Sequence, residues 1–63
     1  MRFLRLKDVT AITGVSRSQI YNLMGNGHFP RSVKLTERTV VWIESEIHEW
    51  MEKKITERFE KTS

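Results

Sequence analysis

The chain has 63 residues, enough for one small domain with a single hydrophobic core. It contains no cysteine, which excludes a disulfide framework and a thiolate metal site. It also lacks a long apolar run and a signal-peptide pattern, so we expect a cytoplasmic protein with no membrane partner.

The basic residues are unevenly distributed along the chain. Residues 1–42 carry seven Lys or Arg against two acidic residues, a net charge of +5. Residues 43–63 carry four Lys or Arg against six glutamates, a net charge of −2. Cationic groups supply the sequence-independent part of nucleic-acid affinity, so this distribution favours a polyanionic partner for the first part of the chain. The alternative is that a modest basic excess only aids solubility.

The chain is expected to begin with an extended lead-in at residues 2–5 and then a helix. The apolar spacing predicts this first helix from Lys7 to about Thr13, with Val9 and Ile12 facing the next helix. Gly14 should end it, because the left-handed conformation common just past a helix end is adopted most easily by glycine.

A second helix is predicted at about residues 17–25, because a reciprocal capping box marks its start. Ser16 is the N-cap and Gln19 follows three residues later, so each side chain can bond the backbone amide of the other. Val15 and Ile20 are placed to form a hydrophobic staple across this cap. With the preceding helix and turn, the pattern is that of a helix-turn-helix.

The outer face of this second helix has the chemistry of a DNA-recognition helix. It carries donor-rich side chains with no acid among them: Arg17, Ser18, Tyr21 and Asn22. In the major groove, arginine suits guanine edges and asparagine suits adenine, while hydroxyls bind phosphate. We assign base contacts to Arg17 and Asn22, and phosphate contacts to Ser16, Ser18 and Tyr21. An ordinary helical hairpin with a solvated polar face is the alternative.

Residues 32–43 are predicted to form a β-hairpin, because two runs suited to strands flank a short connection. A hairpin after a helix-turn-helix is a wing, which would meet the DNA backbone or an adjacent minor groove. Arg38 would lie near its tip, with Lys34 and Arg31 on its flank. The alternative is a structural hairpin whose charges are only solvated.

The last predicted helix runs from Glu44 to about Arg58. Its core-facing apolar stripe consists of Ile47, Trp50, Met51 and Ile55, and Trp50 is expected to be the largest anchor of that stripe. The domain is expected to cover residues 1–58, followed by a frayed tail at 59–63. Alternatively, Ile55 and Phe59 contact a second copy.

Catalytic and cofactor chemistry is absent from the sequence pattern. His28 and His48 lack metal-ligand spacing, and no serine has a nearby His-plus-acid pattern. We therefore expect no enzyme activity, no metal or other cofactor and no small-molecule substrate.

Several motifs together resemble the AlpA family of small prophage-type transcriptional regulators, which are related to phage excisionases and MerR-like winged helices. They are GVSRSQIY at 14–21, GHFP at 27–30, VKL at 33–35, and the pair Trp42 and Trp50. The likeness covers about residues 3–58 and implies a winged helix-turn-helix that binds DNA near prophage genes. It places Ser16, Arg17, Ser18, Tyr21 and Asn22 on the recognition helix and Arg38 on the wing. Family members often carry glycine in place of Thr36, so this wing turn is expected to differ.

These patterns predict a mainly α domain with a small β-hairpin, a winged helix-turn-helix of three helices plus a wing. The expected function is sequence-specific binding of duplex DNA to regulate a prophage or mobile element, as a homodimer or cooperative multimer on DNA. Two alternatives are an excisionase-like architectural DNA-bending factor and a protein-interaction adaptor or antirepressor.

Overall fold

The computed structural model of the chain describes residues 2–60 and contains three α-helices and one small antiparallel sheet. In chain order the elements are β1 (Phe3–Leu4), α1 (Leu6–Thr13), α2 (Arg17–Gly25), β2 (Val33–Thr36), β3 (Thr39–Ile43) and α3 (Glu44–Glu60). A helix-turn-helix is thus followed by a β-hairpin and a third helix, which confirms the predicted winged helix-turn-helix. The lead-in forms an extra strand, β1.

The turn between α1 and α2 is built by short-range hydrogen bonds. Gly14 has a left-handed φ of 73°, and its N–H donates to the Thr10 carbonyl over 2.9 Å. At the start of α2, the Gln19 N–H donates to Ser16 Oγ (3.3 Å), and the Ser16 N–H donates to Gln19 Oε1 (3.4 Å). The predicted capping box is confirmed, and it gives partners to amides that a helix start otherwise leaves unbonded.

A Schellman motif ends α2. Gly27 has a φ of 75°, the His28 N–H donates to the Leu23 carbonyl (2.7 Å), and the Gly27 N–H donates to the Met24 carbonyl (3.1 Å). Because the chain reverses here, Phe29 returns to the core and is buried.

The sheet has the strand order β1-β3-β2, so β3 is its central strand. Leu4 of β1 pairs with Trp42, and Val33 of β2 pairs with Val41. Successive residues of a strand point to opposite faces, so Trp42 and Val41 are buried on opposite sides of β3. A register shift between Lys34 and Thr36 marks a bulge in β2.

The core is formed by side chains from every helix, from the sheet and from the segment between α2 and β2: Leu4, Val9, Ile20, Phe29, Trp42 and Ile47. Trp42 is fully buried, whereas Trp50 is only partly buried and packs against the edge of this cluster. Trp50 is thus the largest side chain of the α3 stripe and packs against the core as predicted, but the largest side chain inside the core is Trp42. Trp42 holds that place because it lies on the central strand, beside the buried Leu4.

Trp50 instead joins α3 to the segment between α2 and β2. Its ring meets Phe29 edge-on at a centroid distance of 4.7 Å, and its Nε1–H donates to the His28 carbonyl over 2.7 Å. An indole that bonds a loop carbonyl through its polar edge stays at the rim of a core rather than at its centre.

Ile12 also departs from the predicted pattern, since 41% of it is exposed. Each helical residue turns the chain by about 100°, which places Ile12 about 60° around the helix from Val9. Thr13, on the other side of Val9, is partly buried, and its Oγ1 donates to the Val9 carbonyl over 2.7 Å. The buried stripe of α1 therefore passes through Leu6, Val9 and Thr13.

The third helix begins at Glu44 as predicted and continues to Glu60, past the predicted end near Arg58. Its first half contributes Ile47 to the core, while its second half leaves the core, with Ile55 and Phe59 exposed by 56% and 64%. Residues 61–63 of the predicted tail lie outside the described residues. Within residues 2–60, no helix has both the length and the apolar character needed to cross a membrane.

Candidate nucleic-acid interface

All of the side chains predicted to contact DNA are at least partly exposed: Ser16, Arg17, Ser18, Tyr21, Asn22, Arg31, Lys34 and Arg38. The first five lie on α2 or at its cap, and the other three lie on or beside the hairpin. Exposure is a requirement for contact with DNA, and the individual contacts stay predictions.

The orientation of α2 is set by its apolar side. Ile20 is fully buried, and Leu23 and Met24 are partly buried against the same core. At about 100° per residue, Ser18 and Asn22 point most directly away from that side. The centre of the exposed face is therefore a hydroxyl and an amide, with no acidic side chain on any part of the nine-residue helix.

The structure brings Arg17 and Tyr21 together on one flank of this face. The Arg17 guanidinium carbon lies 6.0 Å from the centre of the Tyr21 ring, at the outer limit of a cation–π contact. Tyr21 is 47% exposed. The contact aligns the arginine along the helix surface while leaving its donors accessible, an arrangement that their i, i+4 spacing allows.

The hydroxyl of Ser16 is engaged by its own chain. It accepts the Gln19 N–H and lies 3.4 Å from Gln19 Oε1, to which it can donate. A phosphate contact from Ser16 must therefore compete with the helix cap. Ser18 makes no side-chain hydrogen bond within residues 2–60, so its hydroxyl is the better phosphate donor of the two.

Arg38 occupies the two-residue turn between β2 and β3, at the tip of the hairpin. Its N–H donates to Thr36 Oγ1 over 3.2 Å, and no described non-glycine residue has a positive φ. The threonine hydroxyl thus stabilises a turn that needs no residue with a positive φ. An exposed acid, Glu37, is the other residue of the turn.

Arg31 lies in surroundings that carry both charges. It lies before β2 and lines an open groove of about 700 Å³ between that segment and α3. The same groove is lined by Glu46, Glu49 and Glu57. Lys53 and Lys54 line this groove as well, and Lys54 pairs with Glu57, so Arg31 faces a mixed surface, unlike the acid-free face of α2.

The candidate cations are not neutralised by the described part of the chain. Arg2 pairs with Glu44 and Lys54 with Glu57, each at 3.3 Å. No such pair within 4.0 Å is formed there by Arg17, Arg31, Lys34 or Arg38. These four charges are available to an anionic partner. Arg2 also contributes to the net charge of +5 of residues 1–42, but its charge is partly balanced by Glu44.

The described residues offer no alternative metal site, because no group of three His, Cys, Asp or Glu side chains in residues 2–60 could hold a metal ion.

Gln19 is a candidate that sequence reasoning assigned only to the helix cap. The structure leaves its side chain exposed, and with Val15, Asn22 and Leu23 it lines a small depression beside the outer face of α2. Gln19 and Asn22 are three residues apart, so they are neighbours on the surface of a helix. This spacing is the sequence signal that could have identified the two amides as one pair.

Comparison with known proteins gives consistent results. The family model described as "Prophage CP4-57 regulatory protein (AlpA)" matches residues 2–55. The uncharacterized protein ORF88 of Enterobacteria phage P4 is 44% identical over 57 residues, which cover 90% of this chain and 65% of the phage protein. The DNA-binding transcriptional activator AlpA of Escherichia coli strain K12 is 37% identical over 57 residues, covering 81% of each protein.

Proposed function

The chain belongs to the AlpA family of prophage regulatory proteins, and from this membership and the geometry of α2 we propose that it is a sequence-specific duplex-DNA-binding regulator of a prophage or mobile element. The observation that carries the proposal is the exposed, acid-free face of α2, held by a capping box at one end and a Schellman motif at the other. The family is one of regulators rather than enzymes, and one relative is itself named as a DNA-binding transcriptional activator.

In the proposed complex, α2 (about residues 17–25) enters the major groove. Asn22 is the residue for adenine edges, since it lies at the centre of the exposed face. Arg17 reads a guanine edge from the flank, supported by Tyr21. Ser18 and Tyr21 donate to phosphate, which fixes the register of the helix without selecting sequence.

The wing at about residues 32–43 has a different task in this proposal. Arg38 and Lys34 are exposed and form no ion pair within the described chain, so they supply charge to the backbone or to an adjacent minor groove. Sequence selection then comes from the helix, and general affinity comes from the wing.

We propose that residues 1–58 form the DNA-binding unit and that more than one copy binds each target. One small module buries only about 600–1,000 Å² of its surface on DNA, which limits the specificity of a single copy. Ile55 and Phe59, both exposed on α3, are the residues proposed for contact between copies.

The proposal is tested by fluorescence anisotropy with two labelled duplexes, one from the region upstream of the chain's own gene and one with that sequence scrambled. Tighter binding of the native duplex is expected. Arg17→Ala should weaken the native complex by about 1–3 kcal/mol and the scrambled complex much less, because it removes a base contact. Arg38→Ala should weaken both complexes alike.

Lys53→Ala is the matched control, since it removes the same unit of charge from an exposed position on the acid-rich α3. It should leave both affinities unchanged. Equal and steeply salt-dependent binding of both duplexes would identify a non-specific or architectural protein. No binding of either duplex at low salt would refute the DNA proposal and direct attention to protein partners.

A further inference from the structure

The depression beside the outer face of α2 has a volume of about 340 Å³ and is lined by two apolar and two amide side chains. Val15 and Leu23 are partly buried against the core, so the parts of these side chains that line the depression form an apolar surface. Gln19 and Asn22 are exposed and form its polar part. A group that complements this surface is apolar on one side and forms hydrogen bonds on the other.

The orientation of the Gln19 amide is determined by the helix cap. Its Oε1 lies 3.4 Å from both the Ser16 N–H and the Ser16 hydroxyl and accepts from them, so the oxygen is directed back to the cap. No hydrogen bond within residues 2–60 involves its NH₂ group. Since the oxygen is engaged at the cap, the group that Gln19 has left to offer a ligand of the depression is the NH₂ donor.

In the major groove, thymine presents groups complementary to this donor and this apolar surface. Its O4 accepts a hydrogen bond, and its C5-methyl group is adjacent to that oxygen, whereas cytosine presents the N4 donor and lacks the methyl group. We propose that Gln19, with Val15 and Leu23, reads a thymine: the Gln19 NH₂ donates to O4, and the methyl group enters the apolar depression. This inference rests on the proposed function, because it requires α2 to lie in the major groove.

Asn22 complements this assignment. Its side-chain amide makes no hydrogen bond within residues 2–60, so both its donor and its acceptor are free to meet the N6 and N7 edge of an adenine. Gln19 is thus a specificity-determining residue in addition to a capping residue, and α2 selects A·T pairs on this side.

Gln19→Glu separates the two roles of this residue. Glutamate is as good as glutamine at the third position of a capping box, so helix stability should be retained, which urea unfolding checks. The outward donor, however, becomes an acceptor, which opposes thymine O4 and favours the N4 donor of cytosine. We expect the variant to prefer cytosine where the wild-type chain prefers thymine, by about tenfold.

The experiment selects duplexes from a pool with a random window of about one helical turn, using the wild-type chain and Gln19→Glu in parallel. At one position, thymine in the wild-type consensus should become cytosine in that of the variant, with the other positions unchanged. A general loss of affinity from the added negative charge would act on all duplexes alike and would not move the preference at one position.

Base analogues then test the methyl contact without altering the protein. Each thymine of the selected site is replaced singly by uracil, and one replacement should weaken wild-type binding about fourfold, as expected for loss of one buried methyl-sized group. For Gln19→Glu, 5-methylcytosine at the same position should bind about fourfold tighter than cytosine.

The outcomes distinguish failure of the proposed function from failure of the thymine assignment. If the wild-type chain selects no duplex, the proposed function fails and the thymine assignment falls with it. If it selects a site, but every uracil replacement is neutral and Gln19→Glu selects the same bases, only the thymine assignment is overturned. Should the variant not fold, the uracil series on the wild-type chain still decides the question.

Discussion

Gly14 forms the turn of the helix-turn-helix. Its replacement by alanine measures the free-energy cost of the left-handed backbone conformation that this turn requires. Its φ is 73°, and a Cβ built on it meets nothing within 4 Å. Steric contact with neighbouring groups therefore adds nothing to the cost of an alanine side chain here. The only unfavourable term in the folded state is the left-handed backbone conformation. That conformation costs an ordinary residue about 1–2 kcal/mol.

Part of this cost is offset, because alanine also restricts the unfolded chain, by about 0.4–1 kcal/mol. We therefore expect Gly14→Ala to lower the free energy of unfolding by about 1 kcal/mol net. For a domain of this size, that change lowers Tm by about 4–8 °C. Urea and thermal unfolding followed by far-UV circular dichroism measure both quantities.

Gly25 provides a matched control within the same chain. It is the last residue of α2, lacks a positive φ, and likewise leaves open space around an added Cβ. Gly25→Ala should raise the free energy of unfolding by about 0.5 kcal/mol, because glycine is a poorer helix former than alanine. The same chemical change should thus have opposite signs at the two sites. Equal effects, or a neutral Gly14→Ala, would refute the assignment of this cost to the left-handed backbone of the turn.

Three further predictions concern the wing, the rim of the core and the end of α3. Arg38→Ala should reduce the slope of log K against log salt by about 0.9, the effect of one phosphate contact, and an unchanged slope would remove Arg38 from the interface. Trp50→Phe should lower the free energy of unfolding by about 1 kcal/mol through loss of the 2.7 Å bond to the His28 carbonyl, measured by urea unfolding; an unchanged midpoint would contradict the contribution assigned to that bond. Ile55→Ser combined with Phe59→Ser should abolish cooperative binding to a duplex with two sites, while anisotropy on a single-site duplex stays the same. Retained cooperativity would show that copies meet elsewhere.

The sequence by itself determined the helix-turn-helix and, apart from the start of α1 at Leu6 rather than the predicted Lys7, its boundaries, because the signals for these features are local. Gly14 and Gly27 end helices through their own backbone conformation, and Ser16 and Gln19 cap α2 across three residues. The position of Arg38 in the hairpin turn was predictable for the same reason. Such interactions involve groups a few residues apart, so the order of residue types is sufficient to identify them.

Only the tertiary structure decided which apolar and polar groups are buried. Trp42 and Trp50 are equivalent as residue types, but pairing of Leu4 with Trp42 places one indole in the centre of the core and leaves the other at its rim. Ile12 fits a helical repeat and is still exposed, because the core meets α1 on the side of Thr13. The face that a side chain presents depends on contacts between segments distant in the chain, and local spacing carries no information about those contacts.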